Sequence, residues 1–237
     1  MAEQEALIMK DAGKHLEVGY FYDRRGLTGD SRFLAETAKA YNARGAVSHL
    51  NEFRELTECL PRELARTVID HPRGWGGMAA KERQAEQAKK LNAAGADVYL
   101  NMRYNFFADK QVSRALEELA LVRSILGSGA EIKAVVCLPR VWSGASEELG
   151  RLMLALPGAG VSAICPDFPD YIPFPEILDC LDYVRGFVDR MNLPLQVKIA
   201  QRVSARSAPM FVGRGADILG VSPVCISGVY SALVGLP

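Results

Sequence analysis

A lysine inside an apolar run carries the most chemistry in this sequence. Leu195-Gln196-Val197-Lys198-Ile199-Ala200 otherwise reads as a buried strand. An ammonium group there must be paired, face a solvated mouth or lose its proton. Side chains alternate along a strand, so Gln196, Lys198 and Ala200 share one face while Leu195, Val197 and Ile199 pack under helices. A buried lysine whose pKa has fallen can attack a carbonyl carbon as a neutral amine. The plain alternative is an interior ion pair without chemistry.

Other chemistry-bearing residues stand at the ends of apolar runs. In Asp97–Met102, Tyr99, Asn101 and then Arg103 alternate with Val98, Leu100 and Met102. Asn101 could orient a hydroxyl or carbonyl, and Arg103 could clamp a carboxylate or phosphate. Asp70-His71-Pro72-Arg73-Gly74-Trp75-Gly76-Gly77 puts an acid, an imidazole, a guanidinium and an indole at one loop start. His71 is a candidate acid or base there, although a lone histidine more often makes a structural hydrogen bond, and His49 has similar standing. Cys137 and Cys165 each close a strand and are read first as small buried hydrophobes, since a reactive thiol needs a lowered pKa and a base. The cysteine and histidine spacings match no zinc pattern, so no metal and no cofactor are expected.

Eight short apolar strands alternate with amphipathic stretches, the pattern of βα units around a parallel sheet. The strands are expected at 15–21, 45–50, 66–71, 97–102, 132–138, 161–165, 195–200 and 217–222. Helices are expected at 31–44, 53–60, 79–94, 110–126, 146–156, 174–191 and 205–213, with Thr28, Asp30 or Ser31 capping the first and Ser143 or Ser146 the fifth. Pro72, Pro139, Pro166 and Pro223 are expected to end strands, because proline offers no ladder N–H. The expected fold class is α/β, a single (β/α)8 TIM barrel over residues 1–237 with 1–14 as an N-terminal extension. In such a barrel the loops after the strands carry the chemistry.

Composition narrows the partners. Twenty-eight basic residues balance twenty-eight acidic ones, so nucleic acid and an anionic membrane surface are disfavoured and a small carbonyl substrate fits better. The N-terminus lacks the apolar core of a signal peptide, and no apolar run reaches the roughly 20 residues of a membrane helix. Five cysteines without a CxxC pair read as reduced thiols. The expectation is a cytoplasmic protein whose outer helices could support a homodimer.

From about Phe21 to Val234 the chain resembles the deoxyribose-phosphate aldolase family. RTVIDHPRG, AKKLNAAGADVYLNM, IKAVV, LQVKIA and GADILGVSP stand in the order and spacing of that family's TVIGFPxG, GADEIDMVIN, LKVIIE, VKASGG and GTSS stretches. The resemblance implies a barrel and a class I aldolase site, and it places Lys198 on the family's strand-seven lysine. It also implies losses. The Schiff-base lysine of the family's VKTSTGF stretch falls on Cys165, within Ile164-Cys165-Pro166-Asp167-Phe168, and its strand-four aspartate falls near Asn101. Its phosphate cradle becomes Gln201-Arg202 and Ser222-Pro223, which removes the small residues a backbone anion nest needs. A deoxyribose-phosphate substrate is therefore disfavoured.

Three readings follow. The leading one is a divergent class I aldolase-like carbon–carbon lyase or condensing enzyme acting on a small carbonyl through Lys198, with burial, in the absence of a lysine neighbour, depressing its pKa. Asp70, His71, Tyr104 and Asp167 are its candidate bases, and Asn101 and Ser222 its positioning groups. Arg103, Tyr104, Cys137, Asp167, Gln196, Arg202 and Ser222 are the candidate substrate contacts, with Lys198, Asn101, Cys165, Asp70 and His71 as candidate catalytic residues. The second reading is a cyclase, isomerase or decarboxylase without an imine, in which Lys198 stays cationic and Cys165 takes part covalently. The third is a barrel that binds a metabolite or a protein and has lost catalysis. The imine reading needs Lys198 buried and facing an open pocket; an interior acid tied to it with no cavity would speak against it.

Overall fold

The computed structural model describes residues 12–19, 31–49, 53–60, 65–69, 89, 97–102, 112–129, 131–139, 141–169 and 171–235. The chain divides into two compact units, residues 1–68 with 198–237 and residues 69–197. Every strand pairing recorded within them is parallel, with helices between strands, so the fold is α/β.

In the first unit, β1 (Leu16–Gly19) pairs with β2 (Gly45–His49) on one side and β8 (Ile218–Val221) on the other, and Lys198–Ile199 of β7 (Gln196–Ile199) pairs with β8. Helix α1 (Ser31–Ala40) buries Leu34, Ala35 and Ala38, the spacing of a helix facing a sheet. It ends four residues before the expected Arg44. Asn42 takes a left-handed φ of 48°, as asparagine tolerates beyond a helix end, and the Ala43 N–H bonds back to the Ala38 carbonyl at 2.8 Å. That turn frees the Arg44 N–H to donate to the Leu16 carbonyl at 2.9 Å, which ties the entrance of β2 to β1. Gly13 is required beneath it, since a Cβ there would lie 2.4 Å from the Asn42 carbonyl oxygen. The last residues of the expected N-terminal extension, 12–14, thus form a helical turn packed on the fold. Also in this unit are α2 (Phe53–Cys59), α6 (Ala208–Gly213) and α7 (Ile226–Val234). The last of these helices was not expected. β3 (Ala65–Ile69) ends the described part of its region.

In the second unit, β4 (Asp97–Met102), β5 (Ile132–Cys137) and β6 (Val161–Asp167) pair in order, and Gln196–Val197 of β7 pairs with β6. Ile132, Ala134, Val136, Ile164 and Pro166 are buried on one face, and the register groups Lys133, Val135 and Cys137 with Ala163, Cys165 and Asp167 on the other. β6 does not stop at Cys165 as its proline suggests, but runs through Pro166 to Asp167. The Leu138 N–H donates to the Asp167 carbonyl at 2.7 Å, so Asp167 directs its polar groups toward β5 and the preceding residue directs its own away. Proline at 166 therefore costs no bond to β5.

Helices α3 (Val112–Leu126), α4 (Ser146–Ala155) and α5 (Phe174–Arg190) cover this unit. α4 has Ala145 as N-cap and no side-chain cap, contrary to expectation, because a 3₁₀ turn over Trp142–Ala145 leads directly into it. The Ser146 carbonyl instead accepts a 2.6 Å hydrogen bond from the Tyr183 hydroxyl of α5. Gly150 allows that approach, since a Cβ there would stand 3.1 Å from the Phe187 ring. The expected helix over 79–94 lies outside the described residues apart from Lys89.

Candidate functional site

Lys198 is 1% exposed, and its Nζ donates to Glu17 Oε2 at 2.5 Å. Glu17 itself is fully buried in β1. Register explains how a lysine on β7 reaches an acid two strands away. Lys198 aligns with Ile218 of β8, while Glu17 aligns with Gly220 of β8 and Gly45 of β2. The carboxylate thus stands between two residues without side chains, open to Lys198 from one side and to Arg44 from the other. Arg44 Nε lies 3.8 Å from Glu17 Oε1, with the arginine side chain 23% exposed.

The charges set the lysine's protonation. Burial pushes the Lys198 pKa down to about 8, opposed by the charge and hydrogen bond of Glu17 and aided by the positive charge of Arg44. Desolvation is the largest of these effects. The geometry also meets half of the condition against an imine, since Lys198 is tied to an interior acid. To act as a nucleophile it must first lose its proton and leave the pair.

Neither Glu17 nor Arg44 was singled out in the sequence, although Leu16-Glu17-Val18 carries the signal that marked Lys198, one charge in an apolar strand. The same signal stands at Lys133 of β5, which is fully buried with its Nζ 3.7 Å from Glu131 Oε2. Glu131 in turn accepts a 2.7 Å hydrogen bond from Ser162, the residue skipped in the β5–β6 register. That group reads as an ion pair closing a bulge at the strand entrance.

Of the other candidates, Cys137 and Asp167 are brought together as register partners, the thiol donating to Asp167 Oδ2 at 3.3 Å. Cys165 is 2% exposed, with its thiol 4.0 Å from the Pro166 carbonyl, and behaves as core. Gln196 is half-buried in register with Ala163, and Ser222 is half-buried with its carbonyl accepting the Cys225 N–H at 2.9 Å. Arg202 is exposed at a φ of 53°, and its carbonyl accepts the Ser207 hydroxyl at 2.6 Å. Asn101 aligns with Val135, but its side chain lies outside the described ones, as does that of His49. Asp70, His71, Arg103 and Tyr104 lie outside the described residues altogether. All five cysteines are free thiols. Among the described residues no cluster of histidine, cysteine or carboxylate could hold a metal, and no helix is long and apolar enough to cross a membrane.

No family model matches the chain, and no curated protein matches it in sequence. Solved structures do match. The deoxyribose-phosphate aldolase of Aeropyrum pernix, described as having a unique tetrameric structure, is 18% identical with a TM-score of 0.72, and the match covers 97% of each chain. A protein described as QR15, an aldolase, is 14% identical with a TM-score of 0.73 and 94% coverage of both chains. The homocysteine methyltransferase of Escherichia coli also matches, at 17% identity and a TM-score of 0.62, over 93% of this chain and 96% of that one. An aldolase and a methyltransferase on one scaffold show that fold does not choose the reaction. What the likeness establishes is that this chain has the α/β fold that the deoxyribose-phosphate aldolases share.

Proposed function

We propose that the chain is a divergent class I aldolase-like enzyme, a carbon–carbon lyase or condensing enzyme that holds a small carbonyl substrate as an imine on Lys198. The observation that carries this reading is the burial of Lys198 with its Nζ 2.5 Å from Oε2 of the fully buried Glu17. The Nζ proton passes to water while Glu17 stays a carboxylate, the free amine adds to the carbonyl carbon, and a proton from water is taken up as the carbinolamine hydroxyl leaves as water. The products are an iminium on Lys198 and a water molecule, with Glu17 a carboxylate throughout. The iminium then serves as the electron sink for carbon–carbon bond cleavage or formation.

The same reading takes the two units as one (β/α)8-barrel domain over the whole chain. The alternation of strands and helices, and the parallel pairing of β1 with both β2 and β8, support it. It takes Cys165 as the residue replacing the family's imine-forming lysine, and the protein as cytoplasmic with a small-molecule partner and neither nucleic acid nor membrane. A homodimer through the outer helices belongs to the same proposal.

The 2.5 Å Lys198–Glu17 bond favours one rival, in which Lys198 remains an ammonium and stabilises an enolate without an imine. Borohydride reduction with a panel of small aldehydes and ketones, read by intact mass, separates the two. The imine reading expects a mass gain that Lys198→Ala abolishes. No gain with any carbonyl leaves the enolate reading and the non-catalytic binding barrel.

A further inference from the structure

We infer that Arg44 is a positioning residue of this site: by holding the second oxygen of Glu17 it allows Lys198 to leave the ion pair as a free amine. The inference rests on the imine reading for its functional meaning, though not for its test.

Glu17 has no exposure, so its negative charge needs a partner inside the protein. With Lys198 as the single cation, removing the Nζ proton would strand that charge, and the pair would hold the proton tightly. The structure supplies a second cation at the opposite oxygen. Arg44 reaches Glu17 Oε1 while Lys198 holds Oε2, so the carboxylate keeps a counter-charge after the lysine departs. A guanidinium suits the task because it stays charged at every pH at which a lysine titrates. Its partial exposure lets solvent share in stabilising it, whereas Lys198 is sealed.

The local fold puts Arg44 there. Asn42 ends α1 in a left-handed turn, the Arg44 N–H is pinned to the Leu16 carbonyl, and Gly45 leaves the space beside Glu17 open. Among the described residues, the charged groups that act on Lys198 Nζ in this unit include Glu17 from β1 and Arg44 from the entrance of β2. The neighbouring β8 presents Ile218 and Gly220, which carry no charge.

The test reads Lys198 directly. The full-length protein is labelled with ¹³C,¹⁵N-lysine, the Lys198 resonance is assigned by its loss in Lys198→Met, and its titration is followed in wild type, Arg44→Gln, Arg44→Met and Arg44→Lys. Two neutral variants keep the result from hanging on one fold, which chemical-shift dispersion checks. The neutral variants are expected to move the midpoint upward by about one unit, and trapping of propanal by borohydride at pH 7.5 then falls about tenfold, since one unit is a tenfold change in free amine. Arg44→Lys is expected to restore both. Midpoints that coincide in wild type and the folded neutral variants would overturn the inference. A moved midpoint in a protein that traps no carbonyl would uphold the part played by Arg44 and sink the imine.

Discussion

At the proposed site, the charges of three side chains make opposite predictions for two neighbours of one lysine. Glu17 raises the Lys198 pKa and Arg44 lowers it. Glu17→Gln should therefore shift the pH of half-maximal borohydride trapping below 8, the reverse of Arg44→Gln, and it should cost about 3–5 kcal/mol in urea unfolding because Lys198 loses its buried partner. In wild type the trapping rate should climb through pH 8 and level off above it. The sign for stability follows from linkage. Between about 8 and the ordinary lysine value the unfolded chain binds the extra proton, so wild type should gain stability over Lys198→Met as pH rises through that window. Lys198 was legible in the sequence because one charge in an apolar strand must be accounted for. Glu17 was equally legible, but only register shows that Gly45 and Gly220 flank it and that its partner stands 181 residues away.

Among elements, the strand pattern was readable to within a residue or two, since apolar runs of period two leave few alternatives. What the pattern does not supply is the direction of backbone polar groups, and so Pro166 reads as a strand end although its nitrogen faces away from β5. Helix α7 shows a signal passed over, because Ile226, Val229 and Leu233 recur at helical spacing and are all buried. Turn chemistry makes the sharpest prediction at this scale. Gly160 ends the turn before β6 at a φ of 77°, where a Cβ would meet Arg123 Nε at 2.7 Å. Arg123 meanwhile bonds the carbonyls of Gly127 and Gly160. Gly160→Ala should cost about 1–3 kcal/mol, measured by urea unfolding, with loss of the arginine clamp.

For the molecule as a whole, the first unit is assembled from residues 1–68 and 198–237, and its α7 packs against α6 with Ile226, Val229 and Leu233 buried. Ending the chain after Ser222 removes the buried Ile226, Val229 and Leu233, each worth about 1.5–3 kcal/mol of burial, and also the Tyr41–Tyr230 ring contact at 5.2 Å. Such a protein should lose the cooperative unfolding transition of the full chain in a urea titration followed by circular dichroism. A large core was legible from composition, since 49% hydrophobic residues in 237 suffice for one, and the α/β class from the alternation of apolar strands with amphipathic stretches. The candidate site was half legible, because Asp70, His71, Arg103 and Tyr104 lie outside the described residues and the charges that surround Lys198 come from the far end of the chain.

The 181-residue gap between Glu17 and Lys198 has a consequence for birth on the ribosome. At about 5–20 residues per second, roughly 10 to 40 s separate the synthesis of the acid from that of its base. Through that interval β1 has no β8 to pair with, and a carboxylate destined for burial has to stay in water. Residues 69–197 form a continuous stretch and can collapse as they emerge, whereas the N-terminal strand waits for the last forty residues. The nascent chain therefore carries an unpaired strand edge for most of its synthesis, and Glu17, charged and solvated on that strand, works against its sticking to another chain.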